Sequence, residues 1–210
     1  MNVLLGVTGS VAAIKTPALY SALREAGHAV RVVATKSATY FFDLASLSST
    51  LDGSRDRAVV SLDEDEWPGG RYERDDPVLH IELRRWADLF LIAPLDANTL
   101  AKFANGLADN CLTCVWRAWD TTRPVILAPA MNTLMWQHPL TARHLRRLAE
   151  DAGLSPPELG EDDLADWIDA HAPRLCIVAP ESRRLACGDV GVGAMASVER
   201  IVAAVGRLQV

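Results

Sequence analysis

The chain has 210 residues, half of them hydrophobic and 23% charged, the composition of a folded domain and not of a disordered segment. Its formal net charge of −6 argues against nucleic acid as the main partner, because phosphate backbones are held by basic patches. No apolar run approaches the ~20 residues of a membrane span, and the opening MNVLLGVTGS has no basic start, so a leader is not expected and a cytoplasmic location is.

In chain order, NVLLGV is a continuous apolar run suited to a strand covered on both faces. The loop TGS follows, then a helix-period stretch from Val11 to Gly27, with Gly27 as its stop. HAVRVVAT, His28 to Thr35, reads as the second strand. SLDEDEWPGGRYERDD, 61–76, is charged and glycine-containing and reads as a mobile loop. VLHIELRRWAD, Val78 to Asp88, is a mixed helix carrying His80. ADLFLIAP and PVILAPAMN are further strands, each followed by a helical pattern, LDANTLAKFANGLADN and PLTARHLRRLAEDAG. SPPELGEDDLADWIDAHAP, 155–173, reads as an acidic surface insertion with one short helix. RRLACGDVGVGAMA, 183–196, holds Gly188, Gly191 and Gly193 within six residues and suits a flexible flap. Such alternation implies one α/β domain over 1–210, a central parallel sheet with helices on both faces. Ligands in these sheets sit at the carboxyl ends of the strands, where the loops TGS, PLDANT and PAMN fall.

In the first of these loops, Gly6 and Gly9 permit a tight turn and Ser10 is placed to cap the helix. Backbone N–H groups at a helix start, with a hydroxyl, bind phosphate. The spacing is not GxGxxG, so one phosphate of a mononucleotide fits better than a pyrophosphate, although Gly–Ser turns are also common without a ligand. Thr35 and Ser37 add hydroxyls, and no acidic residue ends the second strand to hold an NAD ribose. Asn98 and Thr99 either cap the next helix or meet the ring edge or ribityl chain of a cofactor. PAMNTLMW offers one amide, Asn132, in an apolar collar of Met131, Met135 and Trp136. His80 has apolar neighbours in Val78, Leu79, Ile81 and Trp86, so its charge would respond strongly to any nearby group. A thiol with the usual pKa of about 8.5 stays protonated at neutral pH, so Cys187 could donate a proton where a carboxylate could not. CLTC, with Cys111 and Cys114, has no second CxxC or histidine pair to complete a zinc site, so buried, reduced thiols and no metal are expected.

Together these motifs resemble one family. PAMNTLMW is similar to the PxMNxxMW signature of the flavin-dependent cysteine decarboxylases. VLHIELRRWAD, PLDANTLAKFANGLADNCLTC and LACGDVGVGAMA resemble the eukaryotic-type phosphopantothenoylcysteine decarboxylases of coenzyme A biosynthesis. The resemblance implies an FMN-bound subunit with a Rossmann-like or flavodoxin-like three-layer fold, assembled as a homotrimer with active sites between subunits. It implies decarboxylation of 4'-phospho-N-pantothenoylcysteine to 4'-phosphopantetheine through oxidation to a thioaldehyde, loss of CO2 and re-reduction of an enethiol.

Carried over by position, Gly9, Ser10 and Val11 match the flavin phosphate loop, Thr35 and Ser37 the second loop, and Asp96, Ala97, Asn98 and Thr99 the third. Ala130 would contact the ring. His80 would be the acid/base, Asn132 would hold the substrate carboxylate or amide, and Met135 would shape that pocket. Ala186 and Cys187 would meet the substrate on a clamp over 183–196, Cys187 as proton donor. Peptidyl decarboxylases of the lantibiotic type lack that cysteine, which disfavours a peptide substrate. The rival of another class is a flavin-binding regulatory subunit that inhibits a protein phosphatase; His80, Asn132 and Cys187 in one chain favour the enzyme. The departures are Ser197, where the family often has Glu, the 155–173 segment, and a shortened stretch after DEDEW.

Overall fold

The computed structural model describes residues 1–47, 59–67, 71, 73–184 and 190–208, with 183–184 and 190–191 described by their backbone. Six parallel strands form the central sheet: β1 (Asn2–Val7), β2 (Ala29–Ala34), β3 (Val60–Ser61), β4 (Leu89–Leu95), β5 (Val125–Pro129) and β6 (Leu175–Ile177). Their order is β3-β2-β1-β4-β5-β6. Without the two-residue edge strand β3 the order is that of flavodoxin, and with it that of the Rossmann fold, so both expected likenesses hold.

Side chains along each strand alternate between two cores. Val3, Leu5, Leu91 and Ile126 face α1 (Thr16–Glu25) and α8 (Val198–Arg207). Leu4, Phe90, Ile92 and Leu127 face the other layer, made by α2 (Leu79–Trp86), α3 (Ala97–Asn105), α4 (Cys111–Arg117), the single turn α5 (Thr133–Trp136), α6 (Pro139–Asp151) and α7 (Glu161–His171). This two-sided burial is why the strands read as continuous apolar runs.

Two helical expectations change. The stretch from Val11 to Gly27 is not one helix. Ser10 caps a 3-10 turn over Val11–Lys15, and the α-helix begins only at Thr16 with Pro17 in its first turn. Proline has no N–H for an i−4 bond and its ring crowds the preceding carbonyl, so it is tolerated only where a helix starts. The 155–173 segment, expected on the surface, forms α7, whose Leu164, Ala165 and Ile168 are wholly buried against α6 and β6. Its acidic residues take the outward positions, and Trp136 Nε1 donates to Asp162 at 2.8 Å.

A second sheet pairs β7 (Glu181–Arg184) and β8 (Val190–Ala194) as an antiparallel hairpin that overlaps the 183–196 segment and begins two residues before it. Residues 185–189, with Ala186 and Cys187, lie outside the described residues. The hairpin base is anchored twice. Glu181 Oε1 accepts the Ser197 N–H at 3.1 Å, while the Ser197 hydroxyl caps α8. Met131 N–H donates to the Gly193 carbonyl at 2.9 Å. Gly193 has φ +136°, and a Cβ there would stand 2.4 Å from the Met131 carbonyl oxygen. Gly193→Ala is therefore expected to cost about 1–3 kcal/mol. At about 2–4 °C per kcal/mol the melting midpoint falls by several degrees; an unchanged midpoint would show that the hairpin does not rest on Met131.

Candidate active site

The order of the sheet reverses between β1 and β4, and their following loops are tied together at that switch point. Thr8, completely buried at the end of β1, donates its hydroxyl to the Pro94 carbonyl at 2.9 Å and accepts the Asp96 N–H at 2.7 Å. Asp96 in turn caps α3, its Oδ1 accepting the Thr99 N–H at 2.7 Å. The cap expected at Asn98 or Thr99 is thus at Asp96, whose short carboxylate reaches the N3 amide. Thr99 is buried and Asn98 exposed. The second loop joins through Thr35 and Ser37, whose hydroxyls lie 3.2 Å apart.

Gly9 is where the three loops meet. A Cβ there would lie 2.3 Å from Ser37 Oγ, 2.7 Å from Ser37 Cβ and 3.5 Å from Asp96 Oδ2. The Ser37 Cβ cannot rotate away, so only glycine allows this approach. Beside it is a cleft of about 360 Å³ lined by Thr35, Lys36, Ser37, Asp63, Asp96, Asn98, Thr99, Lys102 and Asn110. Ser10 and Val11 continue the first loop, and Val11 is exposed. Ala97 begins α3, and Ala130 is buried at the end of β5 with its N–H on the Leu95 carbonyl. A larger concavity of about 1120 Å³ lies at the opposite ends of β5 and β6 and contains none of these residues. The carboxyl-end cleft is the better ligand site, because the sequence-separated polar loops converge there.

At the end of β5, Asn132 caps α5, its Oδ1 accepting the Leu134 N–H at 2.8 Å. With the oxygen assigned to the cap, the other end of the amide carries N–H donors. The expected apolar collar divides in two. Met135 is half exposed beside the amide, whereas Trp136 is completely buried and anchors the turn to α7.

His80 stands in the first turn of α2, and its neighbour is Glu66. One carboxylate oxygen accepts the His80 backbone N–H at 3.2 Å, and the other meets the ring at Nδ1. Glu66 is only 4% exposed, although 61–76 was expected to be a mobile loop. Residues Asp63–Glu66 instead form a 3-10 turn closed by Leu62 N–H on Asp65 Oδ2 at 2.8 Å, while Asp63 Oδ1 accepts the Cys111 N–H at 3.1 Å. Burial raises the Asp63 carboxyl above its usual range, and the Cys111 and Lys36 N–H groups oppose this. Burial, then the Glu66 carboxylate, push the Cys111 thiol well up, so it is a neutral filler of this corner. Cys111, Cys114 and Cys176 are free thiols. Sequence reasoning missed Thr8 and Glu66. The first was signalled by a hydroxyl directly on a strand end, the second by an acidic turn just after one.

Comparisons with known proteins agree on the whole chain. The Flavoprotein family profile matches residues 1–209. A phosphopantothenoylcysteine decarboxylase of Mus musculus is 47% identical over 205 residues, 97% of this chain and 85% of that protein. Among solved structures, a cysteine-to-serine mutant of PPC decarboxylase complexed with pantothenoylaminoethenethiol superimposes with TM-score 0.77 at 46% identity, covering 98% of this chain and 96% of the other. The FMN binding protein AtHal3 gives TM-score 0.74 at 45% identity, over 99% and 96% of the two chains. The chain belongs to the Flavoprotein family, alongside its phosphopantothenoylcysteine decarboxylases.

Proposed function

We propose that the protein is an FMN-dependent decarboxylase that converts 4'-phospho-N-pantothenoylcysteine to 4'-phosphopantetheine, in the cytoplasm, as a step of coenzyme A biosynthesis. The observation that carries this reading is the convergence of three polar loops on Gly9 at the switch point of the sheet.

The donors at that point suit FMN. The Ser10, Thr35 and Ser37 hydroxyls and the loop N–H groups are the donors that would hold its phosphate. Asp96 Oδ2 would accept from a ribityl hydroxyl, while the Lys102 ammonium lining the same cleft is already paired with Asp109 at 2.7 Å. When bound, FMN would take two electrons from the cysteine side chain, which creates the thioaldehyde sink that a simple α-amido carboxylate lacks, and would return them after CO2 loss. The chain's own residues handle protons and position. His80 removes the proton of the substrate thiol as the thioaldehyde forms. Asn132 orients the carboxylate through its N–H donors while CO2 departs, and Met135 packs beside the substrate. Cys187 would then supply the proton to carbon as the electron pair held by the flavin returns, and proton and pair together take the enethiol to the saturated thiol product.

Assembly as a homotrimer, with sites between subunits, is part of the proposal. Val11, Ile14, Leu134, Met135 and Leu140 are large apolar side chains exposed around the first loop and the Asn132 turn. Water-exposed apolar groups beside a polar cleft favour burial against another copy. The test is to purify the protein, release and identify its flavin by denaturation, and follow turnover of the phosphorylated substrate. The expected result is FMN and equimolar CO2 and 4'-phosphopantetheine. A chain that takes up no FMN overturns the reading, and accumulation of the enethiol would show that the reaction stops before re-reduction.

A further inference from the structure

Glu66 has no part in the reaction just described, yet it is a buried carboxylate whose two oxygens both point at His80. The surrounding turn is built to deliver it there. Asp65 closes the turn on Leu62, and Asp63 ties it to the first amide of α4. A carboxylate needed only to satisfy the start of α2 would require the backbone N–H alone. Here the second oxygen reaches past the backbone to the ring.

We propose that Glu66 is the positioning residue for His80. It holds the proton on Nδ1, fixes the rotamer of the ring, and leaves Nε2 as the nitrogen that accepts a proton. This rests on the decarboxylase reading above. In the proton transfer the substrate S–H bond breaks, an N–H bond forms at Nε2, and the electron pair stays on sulfur. His80 becomes an imidazolium, and Glu66 gains no proton but faces the new positive charge across Nδ1. A carboxylate behind a histidine fixes tautomer and basicity in this way in unrelated sites. The side chains are 20% exposed for His80 and 5% for Glu66, so the carboxylate is screened from water while the ring keeps an open edge.

The test uses the FMN-loaded protein with ¹⁵N-labelled histidine rings, the His80 signal assigned by its loss in His80→Asn. In the native protein, neutral His80 is expected to carry its proton on Nδ1 with Nε2 bare. Glu66→Gln keeps an oxygen for the His80 backbone N–H but removes the charge. It is expected to leave the melting midpoint near native and FMN content and substrate affinity within twofold of native, to shift His80 toward the Nε2–H tautomer because the amide N–H now meets Nδ1, and to slow single-turnover flavin bleaching by substrate about 10–100-fold. Glu66→Asp, with the charge withdrawn by one methylene, should keep more of the Nδ1–H form and fall between the two rates. An unaltered tautomer, or a Glu66→Gln rate within twofold of native, overturns the proposal. A native protein whose flavin never bleaches overturns the decarboxylase reading and the catalytic purpose of the pair together, while the tautomer arm still decides whether the pairing exists.

Discussion

Replacing Asn132 with aspartate is expected to leave the fold intact and to lower kcat/KM about a thousandfold. The fold is spared because the residue caps α5 through Oδ1, and aspartate is as good a cap as asparagine. A negative charge at a helix start is, if anything, favourable. What changes is the other end of the side chain, where an amide donor becomes a carboxylate oxygen that, with Asn132 in its proposed role, would face the substrate carboxylate. Two unit charges about 4 Å apart repel by ~4 kcal/mol at an effective dielectric of 20. Each 1.4 kcal/mol is a factor of ten, which gives roughly three orders of magnitude. Melting and FMN content serve as controls. Near-normal turnover with normal melting would place the substrate carboxylate elsewhere.

His80→Asn tests the proton acceptor with comparable economy. The asparagine amide N–H reaches about where the ring Nδ1 stood, so Glu66 retains a side-chain donor there beside the His80 N–H and the Cys111 thiol. Only Nε2 is removed. Substrate is expected to bind with native affinity, while the first oxidation slows by about 10²–10⁴, the range for loss of a general base. Stopped-flow bleaching of the flavin on mixing with substrate measures it. A rate within a few-fold of native would remove His80 from the chemistry.

Much of the sheet was legible because two-sided burial leaves little room for polar residues. LFLIAP and PVILAP announce central strands, and the polar loops after them announce the ligand end. The rest depended on partners that no local pattern reveals. Glu66 sits in an acidic, glycine-containing stretch whose composition suggests mobility, and what orders it is a histidine 14 residues further on. The apolar stripe of α7, Leu164, Ala165 and Ile168, was hidden by five acidic neighbours that colour the segment as surface. Pro17 was visible but was read as part of a continuous helix, although its chemistry favours a helix start. In the Asn132 turn, residue type alone could not separate Met135, which faces out, from Trp136, which faces in.

The first core has a consequence for the order in which the molecule is made. Val3, Leu5, Leu91, Ala93, Ile126 and Ala128 present one side of the sheet, and α8 covers part of it with Ile201, Ala204 and Val205 beside α1. During translation that cover emerges about 70 residues after β5 completes this face, roughly 3–14 s later at ordinary ribosomal speeds. For that interval the nascent chain carries a bare apolar sheet face, a surface that chaperones recognise and that neighbouring chains on a crowded polysome can stick to. Ser197 caps the helix that closes this window.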